Sequence, residues 1–139
     1  MQLLTQELRK KLPALGATEK IDDPTIQAKF FTPDSNWTWF ATEFDQKDTF
    51  FGAVSGFEFE LGYFSLSELQ QTRGPLGLPI ERDLHFTPTP LSKIRKEYER
   101  RGRKQAVRDC REKHRRNVLL RRKRRLVYQG RRNRFYRPL

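Results

Sequence analysis

The sequence predicts an α+β protein, with a small antiparallel sheet and short helices over residues 1–91 and a basic, partly helical extension over residues 92–139. Apolar and polar residues alternate in several closely spaced segments, which is typical of neighbouring antiparallel strands. Two local capping signals indicate short helices. Charge also changes sign along the chain: residues 1–92 hold 8 basic and 13 acidic side chains, net −5, whereas residues 93–139 hold 21 basic and 4 acidic, net +17.

The first predicted element is a short amphipathic helix in the stretch LLTQELRKKLPAL. Thr5 can cap its N-terminus, and Leu4, Leu8 and Leu12 fall on one face at four-residue spacing. Pro13 limits the helix because the residue before a proline is pushed out of the helical region. The following stretch, GATEKIDDPT, reads as a loop.

Three strands are predicted next, in IQAKFFTP, DSNWTWFATEFD and TFFGAVSGFEFEL, with QKD as a hairpin loop between the last two. In the third strand Phe57, Phe59 and Leu61 alternate with Glu58 and Glu60. This alternation predicts a buried apolar face and a solvent-facing polar face.

A second short helix is predicted at SLSELQQ, where Ser65 and Glu68 form a capping-box pattern. The glycines and prolines of RGPLGLP end it. A short extended segment is expected around residues 84–86. Pro88 and Pro90 then give a stiff exit, which we interpret as a domain boundary.

The extension is predicted to begin with a helix capped by Ser92 and interrupted near Gly102. A second helical segment follows, and Gly130 is its expected stop. Because the apolar residues of this region are few and scattered, the extension is not expected to form a core alone.

The arginine-rich extension carries the strongest functional signal. Arginine offers a planar fork of donors that matches phosphate oxygens, and aromatic rings between arginines can stack on unpaired bases. Binding through phosphates predicts little sequence preference. A solvated arm, a surface for acidic proteins and a membrane-surface helix are the alternatives. The candidate nucleic-acid-binding residues are Arg115, Arg116, Arg121, Arg122, Lys123, Arg124, Arg125, Tyr128, Arg131, Arg132, Arg134, Phe135, Tyr136 and Arg137.

Catalysis is the weaker hypothesis. The carboxylates Glu43, Asp45, Glu58 and Glu60 could meet near the hairpin and bind metal or perform acid–base chemistry. However, alternating Glu is also what the wet face of a strand carries, and neither histidine lies nearby in sequence. Cys110 is the only cysteine, so no disulfide within the chain and no thiolate zinc cluster is possible. No catalytic residue, metal or cofactor is therefore expected.

No apolar run reaches the roughly 20 residues that span a bilayer, and the N-terminus has no signal-peptide pattern. A cytoplasmic protein without a membrane partner is the expectation.

The stretches KFFTPDSNWTWFATEFD and FFGAVSGFEFELGYFSLSELQQTRGPLGLPIERDLHFTPTPL resemble the bacterial domain of unknown function 2958. The resemblance covers roughly residues 2–91 and includes the opening LLTQELRKKLPAL. It implies an association with plasmids, phages and integrative elements, often near anti-restriction genes. It supplies no catalytic residues. The arginine tail after Leu91 departs from the family pattern.

Together these observations predict a non-enzymatic nucleic-acid-binding accessory protein of a mobile genetic element, or a subunit of a ribonucleoprotein complex. The tail would lie on the phosphates of RNA or DNA, and the folded domain on a protein partner. The alternative is an inhibitor of a host defence system, either restriction or an RNA-guided nuclease. A carboxylate-dependent enzyme is the third hypothesis.

Overall fold

The computed structural model describes the backbone of residues 1–135 and the side chains of residues 1–127. The chain divides into two compact units, the first covering Met1–Tyr98 and the second beginning at Glu99. The elements in chain order are α1 (Gln6–Lys11), β1 (Thr25–Ile26), β2 (Ala28–Phe31), β3 (Thr38–Phe44), β4 (Thr49–Ser55), β5 (Phe59–Ser65), α2 (Leu66–Gln71), β6 (Glu81–Arg82), β7 (Thr89–Pro90) and α3 (Leu91–Phe135).

The first unit is built on a five-stranded sheet in the order β5-β4-β3-β2-β6, and each neighbouring pair is antiparallel. Strands β1 and β7 form a separate antiparallel pair. The loop between β3 and β4 is the predicted hairpin connection. These features confirm the predicted α+β class with a small antiparallel sheet.

The two short helices begin where the sequence signals place them. Thr5 precedes α1, and its hydroxyl accepts a hydrogen bond from the backbone N–H of Leu8 at 3.3 Å. Ser65 precedes α2 and accepts from the backbone N–H of Glu68 at 3.2 Å. Each cap satisfies one of the N–H groups that a helix leaves without an internal partner. Both predicted caps are confirmed.

One face of the sheet packs against α1 and α2. Its centre is a row of stacked rings, in which the centroid of Phe50 lies 4.5 Å from that of Phe44 and 5.2 Å from that of Phe64. Burial of large aromatic side chains supplies most of the stability of a core of this size. The buried residues of this face are Leu3, Leu4, Leu12, Ala28, Phe30, Ala41, Phe44, Phe50, Phe64, Leu66, Leu69 and Ile80.

The opposite face packs against the first turns of α3. Buried Phe40 contacts the ring of Tyr98 edge-on at 5.8 Å, and Phe59 lies 5.3 Å from the same ring. The buried residues of this face are Ile26, Phe40, Ala53, Leu91 and Ile94. The compact unit therefore continues beyond residue 91. Whether residues 1–91 fold alone stays a prediction.

The β3–β4 pairing contains a register shift between Ala41 and Glu43. Beside this shift the two strands approach closely: a Cβ built on Gly52 would lie 1.8 Å from the backbone oxygen of Phe40. A side chain larger than hydrogen would therefore collide with the backbone there. A bulge of this kind bends a strand and redirects the side chains that follow it, and it places Glu43 on the face that carries Phe51 and Tyr63.

The third predicted strand, TFFGAVSGFEFEL, is two strands in the structure, β4 and β5, and several predictions about β5 and its neighbours are wrong. Phe57 is 96% exposed because it lies in the turn before β5, and Leu61 is 47% exposed because β5 is an edge strand. Only Phe59 of that predicted apolar row packs against a core. The extended segment expected around residues 84–86 is a turn, and the strand lies at Glu81–Arg82 instead.

The predicted interruptions of the extension are also absent from the described backbone, where α3 is continuous from Leu91 to Phe135. Gly102 and Gly130 both lie within it. A Cβ at Gly102 would meet nothing within 4 Å, so this glycine neither permits a special turn nor fills a close contact. A glycine at such a position costs about 1 kcal/mol of helix stability, which neighbouring strong helix formers can offset.

Candidate nucleic-acid interface

The described part of α3 from Glu99 to Val127 is exposed on all sides, with only Val118 half-buried. Its larger apolar side chains belong to neither buried core. They are 50–68% exposed: Val107, Leu119, Leu120, Leu126 and Val127. A helix that packs on a protein core has its apolar residues on one buried face. The apolar residues of this segment are exposed instead. The segment therefore presents its side chains to solvent.

The charge of the helix becomes purely positive towards its end. Glu112 is the last acidic residue of the chain. The sequence from Lys113 to Leu139 contains 12 Lys and Arg and no Asp or Glu. Neighbouring cations on a helix repel one another, so such a surface is stabilised by an external polyanion.

Few of these cations are neutralised by the described side chains. Arg116 donates to Glu112 one turn earlier at 2.5 Å, and both groups are largely exposed. Gln105 donates to Asp109 at 2.8 Å. The five consecutive basic residues 121–125 make no hydrogen bond or ion pair to any side chain that the structure describes. Their donors are available to an external acceptor.

The structure places half of the predicted nucleic-acid-binding residues on this exposed surface. They are Arg115, Arg116, Arg121, Arg122, Lys123, Arg124 and Arg125. For five others the backbone is helical but the side chains lie outside the described residues, namely Tyr128, Arg131, Arg132, Arg134 and Phe135. Tyr136 and Arg137 lie outside the described residues altogether.

The start of α3 is held by a residue that sequence reasoning missed. The carboxylate of Asp23 accepts hydrogen bonds from the backbone N–H of Ser92 at 2.9 Å and from its hydroxyl at 2.7 Å. Next to it, the N–H of Leu91 donates to the carbonyl of Pro24 at 2.9 Å. Ser92 is therefore not the predicted cap, because its hydroxyl serves Asp23. No local sequence signal links residues so far apart.

The hydrogen bonds from the hydroxyl and the backbone of Ser92 lower the pKa of Asp23 below its usual range. The nearby Lys96 acts in the same direction. A carboxylate at a helix N-terminus is also favoured by the partial positive charge of the unpaired N–H groups. In its ionised form, Asp23 therefore anchors the first turn of α3 within the first unit.

Glu43, one of the four carboxylates that suggested catalysis, is hydrogen-bonded within the fold. Glu43 is 3% exposed and accepts hydrogen bonds from the N–H of Gly16 at 2.8 Å, from the N–H of Thr18 at 2.9 Å and from the Thr18 hydroxyl. Burial alone would raise the pKa of Glu43, but these three donors outweigh it and lower the pKa. Glu43 is thus held as a carboxylate that fastens the loop after α1 to the sheet.

Asp45 has a similar local role in the β3–β4 hairpin. Its Oδ1 accepts from the backbone N–H groups of Lys47, Asp48 and Thr49 at 2.8–3.0 Å, and these bonds lower its pKa. Glu58 and Glu60 are exposed. Within the described residues, no three His, Cys, Asp or Glu side chains are arranged to hold a metal ion. The four carboxylates do not converge on one site.

The two histidines and the cysteine form no hydrogen-bonded pair among the described side chains, although Cys110 and His114 lie one turn apart on α3. His85 is exposed in a turn, where its backbone N–H donates to Asp83 at 2.9 Å. Cys110 and His114 are exposed on α3. A thiol–imidazole pair for nucleophilic catalysis requires hydrogen-bond contact, and no such contact is present among the described side chains.

The first unit has two exposed features that could bind a partner. Strand β5 is the edge of the sheet, and its outer backbone groups pair with no other described strand. On one face of this strand, Tyr63 is 71% exposed beside Leu61. These two residues also line a cleft of about 420 Å³, together with Ile21, Phe51 and Glu43. An exposed edge with apolar side chains is a template for strand addition by another protein.

The sequence model of a family described as protein of unknown function (DUF2958) matches residues 3–104. The chain belongs to this family. The match confirms the resemblance seen in the sequence and extends it into α3. Residues 105–139, which hold 14 of the 29 Lys and Arg residues of the chain, lie beyond the matched region; we refer to residues 3–104 as the family domain.

Other comparisons add no further relative: no curated protein matches significantly, and no solved structure does. Of the helices in the described chain, none combines the length and the apolar character needed to cross a membrane.

Proposed function

We propose that this protein binds nucleic acid without catalysing a reaction, through the basic surface of α3. In this proposal it is an accessory protein of a mobile genetic element, and the family domain contacts a protein partner or a ribonucleoprotein complex. One observation carries the proposal: residues 99–127 form an exposed helix that ends in a run of cations without a described partner.

The physical basis is the release of counterions. A nucleic acid holds condensed cations along its phosphates, and each arginine or lysine that takes their place frees them into solution. Arginine forms paired hydrogen bonds to phosphate oxygens as well as a charge contact. The basic residues 121–125 offer these groups with no described internal competitor.

The absence of catalysis in the proposal is supported by the hydrogen bonds of the acidic residues. Glu43 and the Oδ1 atom of Asp45 accept hydrogen bonds from backbone N–H groups of nearby loops. A general base needs its lone pair directed at a substrate proton. Their lowered pKa values also oppose proton uptake near neutral pH.

The test is a pair of variants with equal loss of charge. In one, residues 121–125 are all replaced by Gln. In the other, five exposed cations of the first unit that lie outside α3 are replaced by Gln: Lys10, Lys11, Lys20, Lys47 and Arg73. Binding to a labelled 24-base-pair duplex and to a labelled single strand is measured by fluorescence anisotropy. The helix variant should lose at least 10-fold in affinity at about 0.1 M salt, and the control variant should lose less than about 3-fold.

Three outcomes oppose the proposal. Equal losses in the two variants would mean that net charge, not the helix, governs binding. If heparin displaced the labelled nucleic acid as effectively as unlabelled nucleic acid of the same total charge, the helix would bind any polyanion and not nucleic acid in particular. Wild-type protein that binds no nucleic acid even at low salt would refute the proposal outright.

The exposed edge of β5 favours a second candidate function, inhibition of a host nuclease by the family domain. Its free backbone groups and the apolar side chains of Leu61 and Tyr63 suit a protein target better than a nucleic acid. The two functions are separated by the double variant Leu61→Lys/Tyr63→Lys. Inhibition of a purified restriction or RNA-guided nuclease should disappear in this variant, whereas nucleic-acid binding should remain.

A further inference from the structure

Basic side chains surround residues 111–127 of α3 on every side. An α-helix turns by about 100° per residue, so five consecutive residues cover more than its whole circumference. Residues 121–125 are five consecutive cations, and all five are exposed. Positive charge therefore points in every direction within little more than one turn.

The same distribution holds along the preceding turns. At 100° per residue, Arg111, Arg115 and Arg122 fall on one side of the helix. Lys113, Arg116 and Arg124 fall on roughly the opposite side. The apolar residues are divided as well: Leu119 and Leu126 share one direction, and Leu120 and Val127 share another about 100° away.

This arrangement is informative about the ligand. A helix on a membrane surface separates an apolar face from a basic face, and a helix docked on a protein has an apolar stripe. A single nucleic-acid strand that lies along a helix contacts one side of it. A ring of cations instead suits a ligand that carries negative charge on two opposite sides of the helix.

From this distribution we infer that α3, over residues 111–127, binds in the major groove of double-stranded DNA, with its basic side chains on the phosphates of both groove walls. The major groove of B-form DNA is about 12 Å wide, and a helix with its side chains is about 10–12 Å across. The major groove of A-form RNA is deep and narrow and does not admit a helix in this way. The inference rests on the proposed function and names its ligand class.

The decisive experiment uses two triple variants of the full-length protein on opposite sides of the helix. The first is Arg111→Gln, Arg115→Gln and Arg122→Gln; the second is Lys113→Gln, Arg116→Gln and Arg124→Gln. Each removes three positive charges. Groove binding predicts that both variants weaken binding to a 24-base-pair DNA by similar factors of about 10 or more, and that both flatten its salt dependence. Loss confined to one variant would overturn the groove assignment.

Selectivity gives an independent readout. The wild-type protein should bind duplex DNA at least 10-fold more tightly than the single strand of the same sequence or the corresponding duplex RNA at equal salt. Methyl green, which occupies the major groove, should compete, whereas netropsin, which occupies the minor groove, should not. Equal or tighter binding of single strands would refute the inference and leave the proposed function standing. Failure to bind any nucleic acid would refute both.

Discussion

At the scale of single residues, the carboxylates of this chain hold segments together. Asp23 joins the loop before β1 to the first turn of α3, and Glu43 joins the loop after α1 to the sheet. In both cases hydrogen bonds stabilise the ionised form and lower the pKa. A group whose pKa is lower in the folded state contributes stability above its unfolded pKa, and this contribution is lost as the pH falls through the folded pKa.

This linkage predicts how Asp23→Asn behaves. At pH 7 the variant should melt at a lower temperature than the wild type, because an amide accepts the Ser92 hydrogen bonds less strongly and carries no charge at the helix N-terminus. As the pH falls below the ordinary Asp pKa of about 4 and then through the lower pKa of the folded-state carboxyl, the contribution of the ionised group is lost and the difference should shrink. Thermal melts at several pH values measure it.

The matched control is Asp22→Asn, which removes the same charge from an exposed neighbour without a side-chain hydrogen bond in the described structure. It should shift the melting temperature little at any pH. If the two variants were equally destabilised at pH 7, or if the Asp23→Asn deficit persisted unchanged at low pH, the anchoring role of Asp23 would be wrong.

At this scale, the sequence predicts a hydrogen bond only when its two residues are close together along the chain. Thr5 and Ser65 were found as caps because each bonds to a residue three positions later. Asp23 and Ser92 are 69 residues apart, so their contact exists only once the fold brings them together. The exposure of Leu61 was missed for a related reason: alternation marks the two faces of a strand, but only the strand order reveals that β5 is an edge.

At the scale of elements, α3 has two roles in one continuous helix. Its first two turns belong to the first unit, where Leu91 and Ile94 are buried and Tyr98 packs on Phe40. Its later turns are exposed and basic. The sequence predicted helix formation here, but Pro88 and Pro90 suggested that the folded domain ends before the helix begins. Only two apolar residues after the prolines, Ile94 and Tyr98, add to the core. In the sequence they cannot be recognised as core residues, because the residues they pack against, such as Phe40, are far away along the chain.

This packing predicts different stabilities for two truncated chains. A chain that ends at residue 104 keeps both cores and should melt cooperatively. A chain that ends at residue 91 lacks Ile94 and Tyr98, and loss of one large buried aliphatic side chain costs about 2–5 kcal/mol. Urea denaturation should therefore show the shorter chain to be less stable by at least about 2 kcal/mol.

The single substitution Ile94→Ala in the longer chain isolates the packing contribution from that of chain length. It should reproduce much of the destabilisation. Equal stability of the chains ending at residues 91 and 104 would support the boundary expected from the two prolines and would show that the first turns of α3 add nothing to the core.

At the scale of the whole molecule, charge divides the protein into an acidic part and a basic part. The acidic region, residues 1–92, holds the sheet and an exposed edge strand, whereas residues 93–139 carry a net charge of +17. This division was visible in the sequence because it is a property of composition. The distribution of cations around residues 111–127 depends only on a helical backbone between Gly102 and Gly130, which the sequence also predicts as a second helical segment.

The salt dependence of binding by the full-length protein tests the central claim most directly. Affinity for a 24-base-pair duplex is measured between about 50 and 200 mM salt, a range over which six to ten phosphate contacts change it by about 10³–10⁵. We predict a slope of log K against log salt of about −5 or steeper, because at least six cations of α3 replace condensed counterions. A slope shallower than about −2, or no binding at the lowest salt, would contradict the account.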